Sequence, residues 1–159
     1  MKEQFDLLIR NATIIDGTGA ARFRGDIGVR ADRIVRIGRL DTAKGDIEVD
    51  ASGKVAAPGF IDAHTHDDRL MLSAGEMAPK VSQGVTTVVA GNCGISLSPM
   101  PDGMKGAVPA PLDLLDNEGK WFRFPTFGAY VEELGAHPAA TNCALLDKFW
   151  KFRVGDAAR

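Results

Sequence analysis

The hydrophobic pattern of this chain changes period at Pro58-Gly59. Before that point, apolar and polar residues alternate in short runs. G-D-I-G-V-R (25–30) and D-I-E-V-D (46–50) repeat every two residues, and R-I-V-R-I-G (33–38) is β-branched. A period of two is that of a half-buried strand. F-D-L-L-I-R (5–10) and A-T-I-I (12–15) add two apolar runs separated by Asn11. Ala31-Asp32 links a hairpin, and D-G-T-G (16–19) and Ser52-Gly53 are turn chemistry. Lys54–Ala57 opens one more strand. Short strands with turns every eight to twelve residues predict a small sandwich or barrel over residues 1–57. No helical period occurs there.

From Pro58 onward the pattern is mixed. Phe60–Ala63 reads as a buried strand running into H-T-H. Asp68–Gln83 has helical character, interrupted by Pro79 and ended by Gly84. Val85–Ala90 is a second buried strand. Strand, helix, strand within about 30 residues is the size of one βαβ unit. The proline-rich stretch 95–125 predicts a long loop. Phe127–Leu134 predicts a helix with Thr126 as N-cap. Thr141–Leu146 predicts a third parallel strand, with Cys143 in its core.

Composition excludes several classes of function. Lys and Arg total 19 against 21 Asp and Glu, a net charge of −2. A binder of nucleic-acid phosphates or anionic membranes needs a basic excess, so neither is expected. No apolar run reaches the 18 or more residues of a membrane span, and Met1–Arg10 lacks a signal-peptide core. Two cysteines do not make a disulfide framework. A cytoplasmic location is the expectation. The aromatic group Trp121, Phe122, Phe124 and Phe127 reads as loop anchoring.

The chemistry concentrates in His64, His66 and Cys93. Residues two apart on a strand share a face, so the two imidazoles should lie side by side with Thr65 turned away. Asp62 falls on the same face. In parallel βα architecture the C-terminal strand ends form the functional rim. Cys93, in A-G-N-C-G, ends the next strand and should lie beside the histidines. Imidazole and thiolate suit zinc better than magnesium or calcium. Either motif alone is commonplace, since H-x-H occurs by chance and a buried cysteine is usually a small hydrophobe. Asp67, Asp68 and Asn92 are candidates to support the site or to touch a substrate; solvated loop acids and a plain turn residue are the equal alternatives.

The wording P-G-F-I-D-A-H-T-H-D-D (58–68) resembles the first barrel strand of the amidohydrolase superfamily. P-K-V-S-Q-G-V-T-T-V-V-A-G-N-C-G-I-S (79–96) is similar to its D-aminoacylase branch, the N-acyl-D-amino-acid deacylases. P-A-P-L-D-L-L from Pro109 and W-F-R-F-P-T-F-G-A-Y from Trp121 resemble the same branch. The likeness runs from about Phe5 to Leu146. It implies an α/β fold: a β-sandwich segment of the urease-like composite type at 1–57, then at 58–159 the first two or three βα units of an incomplete (β/α)8 barrel. It implies zinc, with Cys93 in the bridging place and His64 and His66 holding the more weakly bound metal. The implied chemistry is hydrolysis of the amide of an N-acyl-D-amino acid.

The same resemblance exposes departures. A complete barrel takes about 250 residues, and 58–159 holds roughly three of eight strands at about 30 residues per step. After Cys93 the single histidine is His137, expected to be exposed. The later His ligands and the general-base Asp of the family are absent, so no catalytic residue is assigned. The wording L-L-D-K-F-W-K-F-R from Leu145 also deviates. A truncated frame, or a piece of a split or decayed gene, is the expectation. Open strand edges should then favour self-association. Two other readings stay open: a non-catalytic fragment with weak metal binding, and a cyclic-amide hydrolase of the dihydroorotase or hydantoinase kind.

Overall fold

A computed structural model describes residues 3–98, 108 and 110–146. The proline-rich centre at 99–107, part of the motif from Pro109, and the deviating residues 147–159 lie outside the described residues. The chain divides into two compact units, Met1–Pro58 and Gly59–Arg159.

The first unit is one five-stranded sheet. Its strands are β1 (Gln4–Ile14), β2 (Phe23–Arg30), β3 (Arg33–Gly38), β4 (Lys44–Asp50) and β5 (Val55–Ala56). The order is β3-β2-β1-β4, with β5 also pairing β1. β1–β2 and β2–β3 are antiparallel, whereas β4 and β5 run parallel to β1. The described residues thus form a single sheet rather than two facing ones. The two runs read as separate strands around Asn11 are one strand. Asn11 sits at φ 61, a left-handed conformation that Asn tolerates better than most residues, and the register of β1 shifts between Ile9 and Ala12. Its N–H leaves the ladder and donates to Asp26 at 2.8 Å, so the bulge costs no hydrogen bond. Phe5, Leu8, Leu40 and Ala43 form one buried cluster, and Ala12, Ile14, Ile27 and Ala51 another.

The second unit is a three-stranded parallel sheet with helical crossovers. β6 (Phe60–Asp62), β7 (Val85–Ala90) and β8 (Asn142–Leu145) lie in the order β6-β7-β8. Between β6 and β7 run α1 (Asp68–Ser73) and α2 (Ala78–Val81), so the helical stretch around Pro79 is broken as expected. α3 (Phe127–Ala136) precedes β8, and the Thr126 hydroxyl caps it by accepting from the Ala129 N–H at 3.2 Å. Val88, Ala90, Met71, Met77, Leu97, Phe122, Phe124 and Tyr130 share one core. Trp121, Phe122 and Phe124 therefore anchor the loop, whereas Phe127 opens α3; the loop also contains a short 3-10 turn at Leu112–Leu114 that the composition concealed. Cys143 departs from its expected place: it is exposed. Among the described residues β8 is an edge strand, and Cys143 lines an open groove of about 370 Å³ with Met71, Val131, Leu134 and Pro138. No helix among the described residues is long and apolar enough to cross a membrane.

Candidate metal centre

Two strand ends build the site. β6 stops at Asp62, so His64 and His66 lie in the turn beyond it rather than on the strand. The expected alternation survives, because the Thr65 N–H donates to the Val89 carbonyl at 3.2 Å and keeps the segment alongside β7. Thr65 is buried, while the two imidazoles stand edge to face with centroids 5.6 Å apart.

The neighbouring strand end supplies the thiol. β7 runs into a tight 3-10 turn, Asn92–Gly94. Gly91 opens this turn at φ 79, and a Cβ there would lie 2.3 Å from the Leu146 carbonyl oxygen, so no other residue fits. Cys93 itself adopts φ 58. A non-glycine residue held in that region costs on the order of 1 kcal/mol or more, and such strain clusters at functional positions. It aims Sγ at the histidines, and Cys93 Sγ lies 3.0 Å from His64 Nε2. Asn92 fixes the register between the two ends. Its amide donates to Val89 O at 2.9 Å and to Ala63 O at 3.3 Å, spanning β7 and the end of β6.

One ligand atom from each of His64, His66 and Cys93 lies within 4.8 Å of the others. Two imidazoles and a thiol at this spacing match the donor chemistry of zinc. His66 Nδ1 is buried without a hydrogen-bond partner, as a ring nitrogen set aside for an ion would be. The residues present therefore fit a metal. Among the described residues, no carboxylate joins the cluster.

The acids are occupied elsewhere. Lys80 Nζ donates to Asp62 Oδ2 at 2.6 Å and to Thr65 Oγ1 at 3.1 Å, and forms an ion pair with Asp67 Oδ2 at 2.9 Å. The hydrogen bond from Lys80 holds the Asp62 carboxyl below its ordinary range. Burial pulls the Lys80 ammonium down, but its bonds to Asp62 and Asp67 outweigh this and hold it above its ordinary value. Asp68 is fully buried. Its Oδ1 accepts from Ser96 at 2.7 Å, its carbonyl accepts from Tyr130 at 2.9 Å, and burial pushes its carboxyl up. Lys80 and Ser96 escaped the sequence reading, and Asp68, a candidate there for a solvated loop acid or a substrate contact, is instead fully buried. The one available signal was a lysine in a single helical turn just ahead of an apolar strand. His137 is far from this chemistry in role: it is exposed and ends α3.

The amidohydrolase family matches residues 48–124. The D-aminoacylase of Alcaligenes xylosoxydans xylosoxydans is 54% identical over 144 residues, 91% of this chain and 29% of that protein. A solved D-aminoacylase structure, one that defines a novel subset of amidohydrolases, superposes with a TM-score of 0.83 at 51% identity, over 89% of this chain and 29% of the other. The N-acyl-D-glutamate deacylase of Bordetella bronchiseptica, solved with zinc and a phosphonate mimic of the tetrahedral intermediate, gives a TM-score of 0.81 at 45% identity, over 91% and 29%. The chain thus spans under a third of the length of these relatives. On the site geometry and these matches together, the chain belongs to the amidohydrolase family, in its D-aminoacylase branch.

Proposed function

We propose that this chain carries the first part of a zinc-dependent deacylase of N-acyl-D-amino acids. Residues 1–57 are then the sandwich segment, and 58–159 are the opening βα units of a (β/α)8 barrel. The observation that carries this reading is the approach of His64 Nε2 and Cys93 Sγ to 3.0 Å across two parallel strand ends. His64, His66 and Cys93 would hold the zinc. Bound there, the metal supplies an activated water and polarises an amide carbonyl. Asn92 keeps the two donor segments together by bonding to both strands. His64 and Cys93 are exposed, so a substrate amide can approach from their open side. The buried Thr65 and the core beneath it close the opposite side.

Among the described residues, no acid beside the cluster is free for proton transfer. Asp62 and Asp67 share the single charge of Lys80 in ion pairs, and Asp68 is buried against Ser96. General acid–base help contributes about 10²–10⁴-fold. The chain of 159 residues should therefore bind zinc without measurable turnover. Zinc affinity is read by competition with a chromophoric chelator, and Co(II) substitution reports thiolate ligation. D-amino acid release from N-acetyl-D-methionine is followed in parallel. The expected result is a thiolate charge-transfer band that disappears in Cys93→Ala, with no release of product. A chain that binds neither zinc nor Co(II) overturns the metal reading. Zinc-dependent release abolished by Cys93→Ala would show that self-assembled copies, joined through the open edges of β6 and β8, complete the site.

A further inference from the structure

We propose that Lys80 is a positioning residue that sets the His64–Thr65–His66 turn for metal capture and keeps two neighbouring carboxylates out of the ligand set. The inference rests on the reading of His64, His66 and Cys93 as a metal site.

The turn needs an external clamp. β6 ends at Asp62, and beyond it one backbone hydrogen bond, Thr65 N–H to Val89 O, ties the segment to β7. The remaining order must come from side chains. Lys80 contacts positions 62, 65 and 67, which bracket both histidines. Asp62 is held at both ends: Oδ2 accepts from Lys80, and Oδ1 accepts from the His64 N–H at 3.3 Å. A continuous path thus runs from the ammonium to the backbone of one ligand.

Lys80 is itself fixed. α2 is a single turn entered through Met77, which is fully buried and left-handed at φ 49. The Lys80 N–H donates to Met77 O at 2.8 Å. The lysine side chain is 19% exposed, so its stem packs against protein and its three donors point inward.

Charge gives the second half of the role. Asp62 and Asp67 flank the imidazoles, and free carboxylates there would compete as oxygen ligands. Oxygen-rich sites favour magnesium, calcium or manganese, whereas imidazole and thiolate favour zinc. An ammonium bonded to both acids removes that competition. Removing outer partners of metal ligands commonly costs 10–100-fold in affinity.

The test uses the full chain and reads metal binding, not turnover. Lys80→Met keeps the stem and removes the charge. Zinc affinity should fall about 10–100-fold, the Co(II) spectrum should shift towards more oxygen ligation, and Lys80→Arg should restore most of the affinity. Asp62→Asn combined with Thr65→Val, which spares the lysine, should reproduce the loss if Lys80→Met fails to fold. If the parent chain binds zinc and the folded variants bind it equally with unchanged Co(II) spectra, the positioning role is wrong and the metal reading stands. If the parent chain binds no metal, both fall.

Discussion

The two units of this chain use β-structure for opposite purposes. In the first, β1 is the central strand, paired along most of its eleven residues by β2 on one side and by β4 and β5 on the other. Its side chains fill two buried clusters, and its one irregularity, Asn11, is compensated by Asp26. In the second, β6 spans three residues, and everything reactive lies after the strand has ended. One sheet holds itself together; the other aims side chains from its rim. Order at the rim comes from side-chain clamps and strained turns: Asn92, Lys80, and the left-handed Cys93. The comparison separates stability from chemistry, and substitutions should separate them too.

The largest effect should come from a ligand. His64→Ala removes one of three donors, so zinc affinity should fall by more than the 10–100-fold typical of outer positions. His64 is exposed, and its loss should leave the urea-unfolding midpoint nearly unchanged. The mirror experiment is Leu8→Ala in the first unit. Leu8 is fully buried, and truncation of a buried leucine costs about 2–5 kcal/mol. Zinc affinity of the folded protein should not move. A Leu8→Ala chain that loses zinc in step with stability would break the separation.

Tyr130→Phe probes the support beneath the site. The Tyr130 hydroxyl donates to the Asp68 carbonyl, and both are buried. Its removal deletes one buried hydrogen bond, at a net cost of about 0.5–1.5 kcal/mol. Differential scanning calorimetry should show this as a lowered transition, with zinc binding altered less than in Lys80→Met.

How much of this was legible in the residues follows from the range of the interactions. Period-two alternation reported where the strands of the first unit lie, but not their burial, since β3 and β4 are exposed on both faces among the described residues. The exception was Asn11, where a single left-handed residue continues a strand that composition divides. The metal cluster was legible because H-T-H and G-N-C-G each mark the end of an apolar run, and parallel pairing brings such ends together. The reading ended the strand at Ala63 and extended its alternation to the histidines, whereas β6 stops at Asp62, since boundaries depend on pairing partners that the local sequence does not contain. Lys80 was illegible for the same reason. Its partners lie up to 18 positions away, and only the crossover brings them within reach. Cys143 misled because an apolar strand is buried only if something covers it.

The smallest effect should appear in the acid limb of stability, and it contrasts the units once more. Arg10 donates to the Glu48 carboxylate at 2.7 Å, and the Gly45 N–H donates to it at 3.0 Å. Together they hold the Glu48 carboxyl down at about 2, against an ordinary value near 4.3. A depressed folded pKa means that the native state binds fewer protons than the unfolded chain. The stabilisation from Glu48 is therefore complete above about pH 4.3 and is lost as pH falls towards 2. Asp68 in the second unit has the opposite sign. Burial raises its carboxyl, so its contribution is complete below about pH 3.9 and declines as pH rises through its folded value. Glu48→Gln should lower the stability of the metal-free chain slightly above about pH 4.3 and flatten its profile between pH 4.3 and 2. The pair is solvent-exposed, so the change should be small and should shrink further in salt. Asp68→Asn should act above about pH 3.9 instead, and urea titrations of both variants across pH 2–8 will show whether each unit governs its own limb.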